Sequence, residues 1–408
     1  MKFSLNDLAA NKNIFLAVML SSFIVPFSGI ALTLSLPDIG KDYGIGAGDL
    51  GWVLEVFLLT SVILLLPMAK LADKFGKKHI FFLGIVIFTA ASILALFLPG
   101  YTGLLLARFL QAVGAAMLFA TGTAIIALIV PRKHRGQAMG WNIAMVNTGL
   151  SLGPVLGGFL NYYAGWRSLF FVFSLLGIFT ALYAKGSLQQ DWKNITGRSN
   201  SLPWQLLSAN RFFSFSLLTA LLSYSATFAV SFLLSLYLQT SIGFSSREAG
   251  LLLLIQPVIM ILLSPKTGAL SDKYSPALLC SWGMGIIAIS LLEFACSVHL
   301  GSFPAIIPGL LLLGGGFALF SAPNNNAIMG SVEKQHYSFA SSLLGFSRMA
   351  GQMLSMSFVT LLLSLQFTDL PAENTLDFKI IISLLLFAVL CICGIFASLT
   401  RQKDNSHG

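Results

Sequence analysis

Long apolar runs, separated by short polar turns, fill the chain. Twelve of them can be drawn, at 13–36, 49–69, 79–99, 102–130, 136–163, 166–187, 212–238, 247–265, 277–298, 301–323, 338–365 and 378–400. A helix needs about 20 apolar residues to cross the hydrocarbon of a bilayer, so each run predicts one membrane-spanning helix. The runs at 102–130 and 136–163 are longer, which a tilted or kinked helix accommodates. The turn between the second and third runs, Pro67 to Lys78, carries Lys70, Asp73, Lys74, Lys77 and Lys78 between two nearly uncharged stretches.

Composition fixes the solvent. Of 408 residues 56% are hydrophobic and 10% charged, with a mean hydropathy of +0.85. Globular domains are nearer a quarter charged, so the surrounding medium is expected to be lipid. A net charge of +9 on a soluble chain would point to nucleic acid; here the cations crowd into alternate turns. With the N-terminus placed inside, eighteen Lys and Arg fall on the inner side and four on the outer. That asymmetry puts both termini in the cytoplasm, and a bacterial plasma membrane is the expected location. The four Cys lie in apolar runs and imply no disulfide framework.

The polar segment 189–210 contains Gly197, Ser199, Asn200, Ser201 and Pro203, which is linker chemistry. It divides the chain into an expected six-helix bundle at 1–188 and a second at 211–408. The halves repeat: Gly51 matches Gly250 and Asp73 matches Asp272, both at an offset of 199. The order Ala69, Asp73, Lys74, Gly76, Lys77, Lys78 resembles the loop between helices 2 and 3 of the major facilitator superfamily. Ala69 stands where the family has Gly, and Lys74 and Lys77 where it has Arg. The resemblance covers essentially the whole chain and implies an all-α integral membrane protein of twelve helices in two parallel six-helix repeats. It also implies that Asp73, Gly76, Lys77 and Asp272 form a cytoplasmic gate, with Asp73 capping a helix of the other half.

The fifth run holds Gly149, Gly153 and Gly157 at four-residue spacing, with Pro154 and Gly158 among them. Glycines so spaced line one side of a helix and admit a second backbone, and Pro154 predicts a bend. The full pattern looks like the antiporter signature of the superfamily. Gly165-Trp166-Arg167 with Phe170 and Phe171, and Pro323-Asn324-Asn325-Asn326-Ala327, are similar to drug:proton antiporters, in particular to multidrug antiporters that usually have fourteen spans.

Charges inside the runs are few. Glu55 and Arg108 come out at a similar depth, and each costs roughly 3 kcal/mol or more in hydrocarbon. The pair is expected to share a cavity, Glu55 carrying the coupled proton and Arg108 tuning it; the competing reading is a static buried ion pair. Arg348 and Gln352 in the eleventh run, with the stripe Tyr224, Thr227, Ser231 on the seventh, are expected to line the substrate cavity. Glu293 is expected to snorkel to the interface. Gly283-Met-Gly285-Ile-Ile-Ala288 matches a loose dinucleotide fingerprint but has no strand before it. The resulting expectation is a secondary transporter, no enzyme and without cofactor or metal. It would exchange protons for small amphipathic or cationic compounds and work as a monomer with no nucleic-acid partner. Transport of one metabolite, and a non-transporting sensor, are the alternatives.

Overall fold

In the computed structural model, residues 11–45, 52–185, 204–244, 246–364 and 372–401 are described. Residues 189–203 of the expected linker lie outside them. All regular structure among the described residues is helical. The helices are α1 (Lys12–Ile30), α2 (Leu36–Tyr43), α3 (Trp52–Phe75), α4 (Lys77–Phe97), α5 (Gly100–Ile129), α6 (Arg135–Ala164), α7 (Arg167–Lys185), α8 (Gln205–Ala209), α9 (Arg211–Thr227), α10 (Val230–Thr240), α11 (Ser246–Leu253), α12 (Ile255–Ser271), α13 (Pro276–His299), α14 (Ile306–Gly330), α15 (Tyr337–Ser364) and α16 (Ala372–Thr400).

Ten spans among the described residues are long and apolar enough to cross a membrane, and a bent eleventh joins Arg132–Gly153 to Val155–Ala164 at 42°. The bend falls at Pro154, where the missing N–H and the ring break the i→i−4 ladder. α9 and α10 together make one of the ten, Arg211–Thr240, interrupted at Phe228 and Ala229. The eleventh expected run forms α15, 28 residues long. It is not among the ten because Ser, Arg348 and Gln352 dilute its apolar content.

The chain divides into two compact units. The first comprises Met1–Pro203 and Val332–Gly345, the second Trp204–Ser331 and Phe346–Gly408. The boundary differs from the expected one in that 332–345 joins the first unit. The reason is local: the Ser341 hydroxyl donates to the Phe119 carbonyl (2.8 Å), the Arg135 guanidinium lies 5.7 Å from the Tyr337 ring centroid, and a Cβ on Gly345 would sit 3.4 Å from Leu65.

Within the first unit α4 packs on α5 and α7, α3 on α5, and α1 on α6 and α7. The second unit repeats the scheme: α13 packs on α14 and α16, α12 on α14, and α9 on α16. The repeat reaches single residues. A Cβ on Gly84 would lie 3.0 Å from the Gly114 carbonyl oxygen, and one on Gly114 2.7 Å from that of Gly84. Gly283, 199 positions after Gly84, stands in the same relation to Gly316, at 2.7 and 2.9 Å. Backbones cross at van der Waals distance there because neither helix has a side chain at the crossing. Gly283, the first glycine of the apparent dinucleotide fingerprint, thus belongs to a helix contact.

Candidate functional site

Arg108 is fully enclosed in the first unit. Its Nε donates to the Val53 carbonyl (2.9 Å); one terminal nitrogen donates to Gln111 Oε1 (3.0 Å) and the Ser28 carbonyl (3.4 Å). The guanidinium carbon sits 4.3 Å from the Phe57 ring centroid. Gln111 in turn donates to Ser92 Oγ (2.8 Å). The charge therefore ties α1, α3, α4 and α5 together through neutral oxygens and a ring face.

Glu55 is not among its partners, which corrects the expected shared cavity. Arg108 touches Val53 and Phe57, each two residues from Glu55, and two residues turn a helix by about 200°. Glu55 thus points to the opposite side of α3, where it is exposed. Run lengths carry no record of rotation about the helix axis, which is what separates the two side chains.

The basic turn is tightly built. α3 ends at Phe75 and α4 begins at Lys77, with Gly76 alone between them at φ +97°. That left-handed conformation favours glycine. The reversal brings Lys77 Nζ to 2.8 Å from Asp73 Oδ1, with Lys77 buried and Asp73 half-buried. The contact is one N–H···O bond, since an ammonium is a point charge. In the second unit Asp272 caps the end of α12, and Asn326 of α14 donates to Ser271 Oγ beside it (3.0 Å).

The glycine row of α6 faces α1. A Cβ on Gly149 would collide with the Phe23 carbonyl, on Gly153 with the Ile30 side chain (2.8 Å), and on Gly157 with the Ala31 carbonyl. Gly158, one position round, is half-buried. Along the same seam Asn142 donates to Ser22 Oγ (2.6 Å).

In the second unit the expected stripe is split by the break between α9 and α10. Tyr224 is buried, edge-on to Phe317 of α14 with centroids 5.3 Å apart. Thr227 is buried and donates within its own helix, to the Ser223 carbonyl (2.8 Å). Ser231 donates to Gln256 Oε1 (3.3 Å). Arg348 and Gln352 of α15 are half-buried. Arg348 interacts electrostatically with Tyr224. Arg348 thus faces Tyr224 of α9, and Gln352 follows it one turn later on α15.

Residues 18–356 match the family described as the Major Facilitator Superfamily. The chain belongs to that superfamily. It is 27% identical over 384 residues to the riboflavin transporter RibZ of Clostridioides difficile, covering 82% of this chain and 84% of RibZ. It is 25% identical over 394 residues to the multidrug resistance protein Stp of Mycobacterium tuberculosis, covering 83% of this chain and 73% of Stp. In fold it is similar to the human organic anion transporter MFSD10, with a TM-score of 0.77 at 13% identity, over 95% of this chain and 99% of that one. This is a multi-pass membrane transporter, and no enzyme.

Several polar contacts of this major facilitator protein escaped the sequence reading. Arg401 counts as a loop cation by position, yet it is buried in the second unit. It donates to Ser216 Oγ (2.9 Å), Asn324 Oδ1 (2.9 Å) and Ser398 Oγ (3.0 Å). The Pro323-Asn324-Asn325 stretch was the available signal. On α2, Asp42 Oδ2 accepts from Trp166 Nε1 (2.8 Å) and Arg167 (3.1 Å). The Trp166 hydrogen bond, aided by Arg167, holds the Asp42 carboxyl below its usual range despite some desolvation. Beside it Asn161 donates to Asp38 (2.6 Å), so the Gly165-Trp166-Arg167 signature acts as an anchor for α2. Glu293 also has neighbours that the sequence reading did not give. It is half-buried against α14, where a Cβ on Gly309 would overlap its Oε2, and Ser297 donates to Oε1 (3.3 Å).

Proposed function

We propose that the protein exports small amphipathic compounds in exchange for protons, by alternating access of its two halves. The match to a multidrug resistance protein over 83% of the chain carries the reading. Glu55 supports it as the proton site. It is an exposed carboxylate in the first turn of an apolar span, free of the Arg108 network. Asp73 with Lys77 acts as the cytoplasmic gate, closing that side when the cavity faces outward, and Asp272 is its counterpart. Both termini lie in the cytoplasm of a bacterial plasma membrane, and the protein works as a monomer.

The test is everted vesicles with a pH probe, wild type against Glu55→Gln, over a panel of lipophilic cations and planar anions. Substrate-induced proton release in wild type, lost in Glu55→Gln, is the expected result. Unchanged proton-driven efflux in the variant removes Glu55 from the mechanism. A second reading, transport of one planar metabolite, is favoured by the similarity to a riboflavin transporter over 82% of the chain. Proton flux elicited by riboflavin alone would select it.

A further inference from the structure

Each half carries the same surface feature at the end of the matching span. α3 closes on Lys74 and Phe75, and 199 positions later Lys273 and Tyr274 follow α12. Phe75 is 52% exposed and Tyr274 59%, and both lysines are exposed beside them. Lys74 Nζ lies 5.2 Å from the Phe75 ring centroid. In the second unit the N–H groups of Lys273 and Tyr274 both donate to the Leu270 carbonyl (3.0 and 2.9 Å), which fixes the turn.

A further lysine stands behind each pair. Lys70 is exposed one turn before Lys74, and residues four apart share a helix face. On α12, Lys266 and Leu270 are exposed, and Lys273 continues their face at spacings of four and three. The carboxylate nearest in sequence to the first pair is engaged elsewhere: Asp73 is held by the buried Lys77. Among the described residues none of Lys70, Lys74, Lys266 and Lys273 forms an ion pair. Each turn thus presents two ammonium groups and an aromatic ring where an apolar span ends.

An aromatic ring at the end of a span sits at headgroup level. A lysine there lays its methylenes along apolar surface and keeps its charge in the polar layer. The group that meets it is a lipid phosphate. A zwitterionic headgroup brings its own cation to that phosphate, whereas an anionic one leaves it free for the lysines. A soluble anion would gain from the ammonium groups alone, because the ring offers it nothing. We propose that the Lys70–Lys74–Phe75 turn and the Lys266–Lys273–Tyr274 turn are two binding sites for the headgroup of an anionic phospholipid, one on each unit. The binding goes beyond the export reading and needs no cargo, proton or stated orientation in the membrane.

The experiment titrates the purified full chain in neutral detergent with dioleoyl phosphatidylglycerol or dioleoyl phosphatidylcholine, which share their acyl chains. Bound lipid is counted by native mass spectrometry. Wild type is expected to retain phosphatidylglycerol the more tightly, at two preferred sites. Lys70→Gln with Lys74→Gln should remove one of them, and Lys266→Gln with Lys273→Gln the other. Each single substitution should weaken its own site about fivefold, and Lys74→Arg should keep it. All four side chains are exposed, so the melting midpoints should stay at the wild-type value. Lys41→Gln is the charge control, since Lys41 is exposed on α2 and lies 3.7 Å from Asp38; it should leave both sites intact. Equal retention of the two lipids by wild type overturns the sites, and so does a loss in Lys41→Gln as large as in Lys74→Gln, which would mark diffuse net charge. Displacement of phosphatidylglycerol by equimolar glycerol 3-phosphate overturns the lipid assignment in favour of a soluble anion.

Discussion

Replacing Gly149 or Gly157 by Ala tests whether the glycine row of α6 is a helix crossing. In each case the added Cβ meets backbone: the Phe23 carbonyl, with Phe27 N at 3.2 Å, or the Ala31 carbonyl, with its Cα at 3.0 Å. Side-chain tips could swing aside, but a carbonyl moves only with its helix, so α1 must shift along its contact with α6. Overpacking of this kind costs about 1–3 kcal/mol. Ala gains back about 0.5–1 kcal/mol over Gly in a helix interior, leaving a net loss of about 1 kcal/mol at mid-range and about 2.5 at most. For a unit of some 200 residues a loss of about 1 kcal/mol lowers the melting midpoint by about 2–4 °C. Gly250→Ala is the control, because nothing lies within 4 Å of its Cβ and the residue is exposed on α11. Only unfolded-state entropy changes there, and stability should rise by about 0.4–1 kcal/mol. Thermal unfolding in detergent, followed by helical circular dichroism, reads all three. The reasoning fails if Gly149→Ala and Gly157→Ala melt with wild type, or if Gly250→Ala is lowered as much as they are.

Arg108→Lys should destabilise the first unit by about 2–4 kcal/mol, because an ammonium cannot hold Val53, Ser28 and Gln111 together as the planar fork does. Arg108→Met, which removes the buried charge along with its bonds, should cost less; equal midpoints for the two variants would contradict this. Asp42 has a folded pKa below its unfolded one. Its contribution is therefore fully present above the ordinary aspartate range and is lost as pH falls through the lower, folded value. The melting difference between wild type and Asp42→Asn should be constant near neutrality and vanish only in strong acid; a difference already gone at mildly acid pH refutes the anchor.

How much was legible varies by residue. The offset of 199 between Asp73 and Asp272 announced the repeat, and the Gly84–Gly114 and Gly283–Gly316 crossings show it in three dimensions. The Gly149–Gly153–Gly157 spacing foretold a close helix contact, and α1 supplies it. The bend at Pro154 likewise follows from the missing N–H. The Glu55–Arg108 pair failed because equal depth says nothing about azimuth: Arg108 turns toward Val53 and Phe57, and Glu55 away. Arg401 was misread because a cation at the end of a run is normally drawn to water, whereas Asn324, Ser216 and Ser398 converge on it from three helices.

By itself the sequence determined the solvent, the helical class, the repeat and the sites of close approach, since these depend on local composition and on the 3.6-residue period. Only tertiary structure decided which polar groups meet. In a bilayer a buried charge settles wherever several helices together offer it oxygens or a ring face, and that convergence is set by helix rotation, which no single run records.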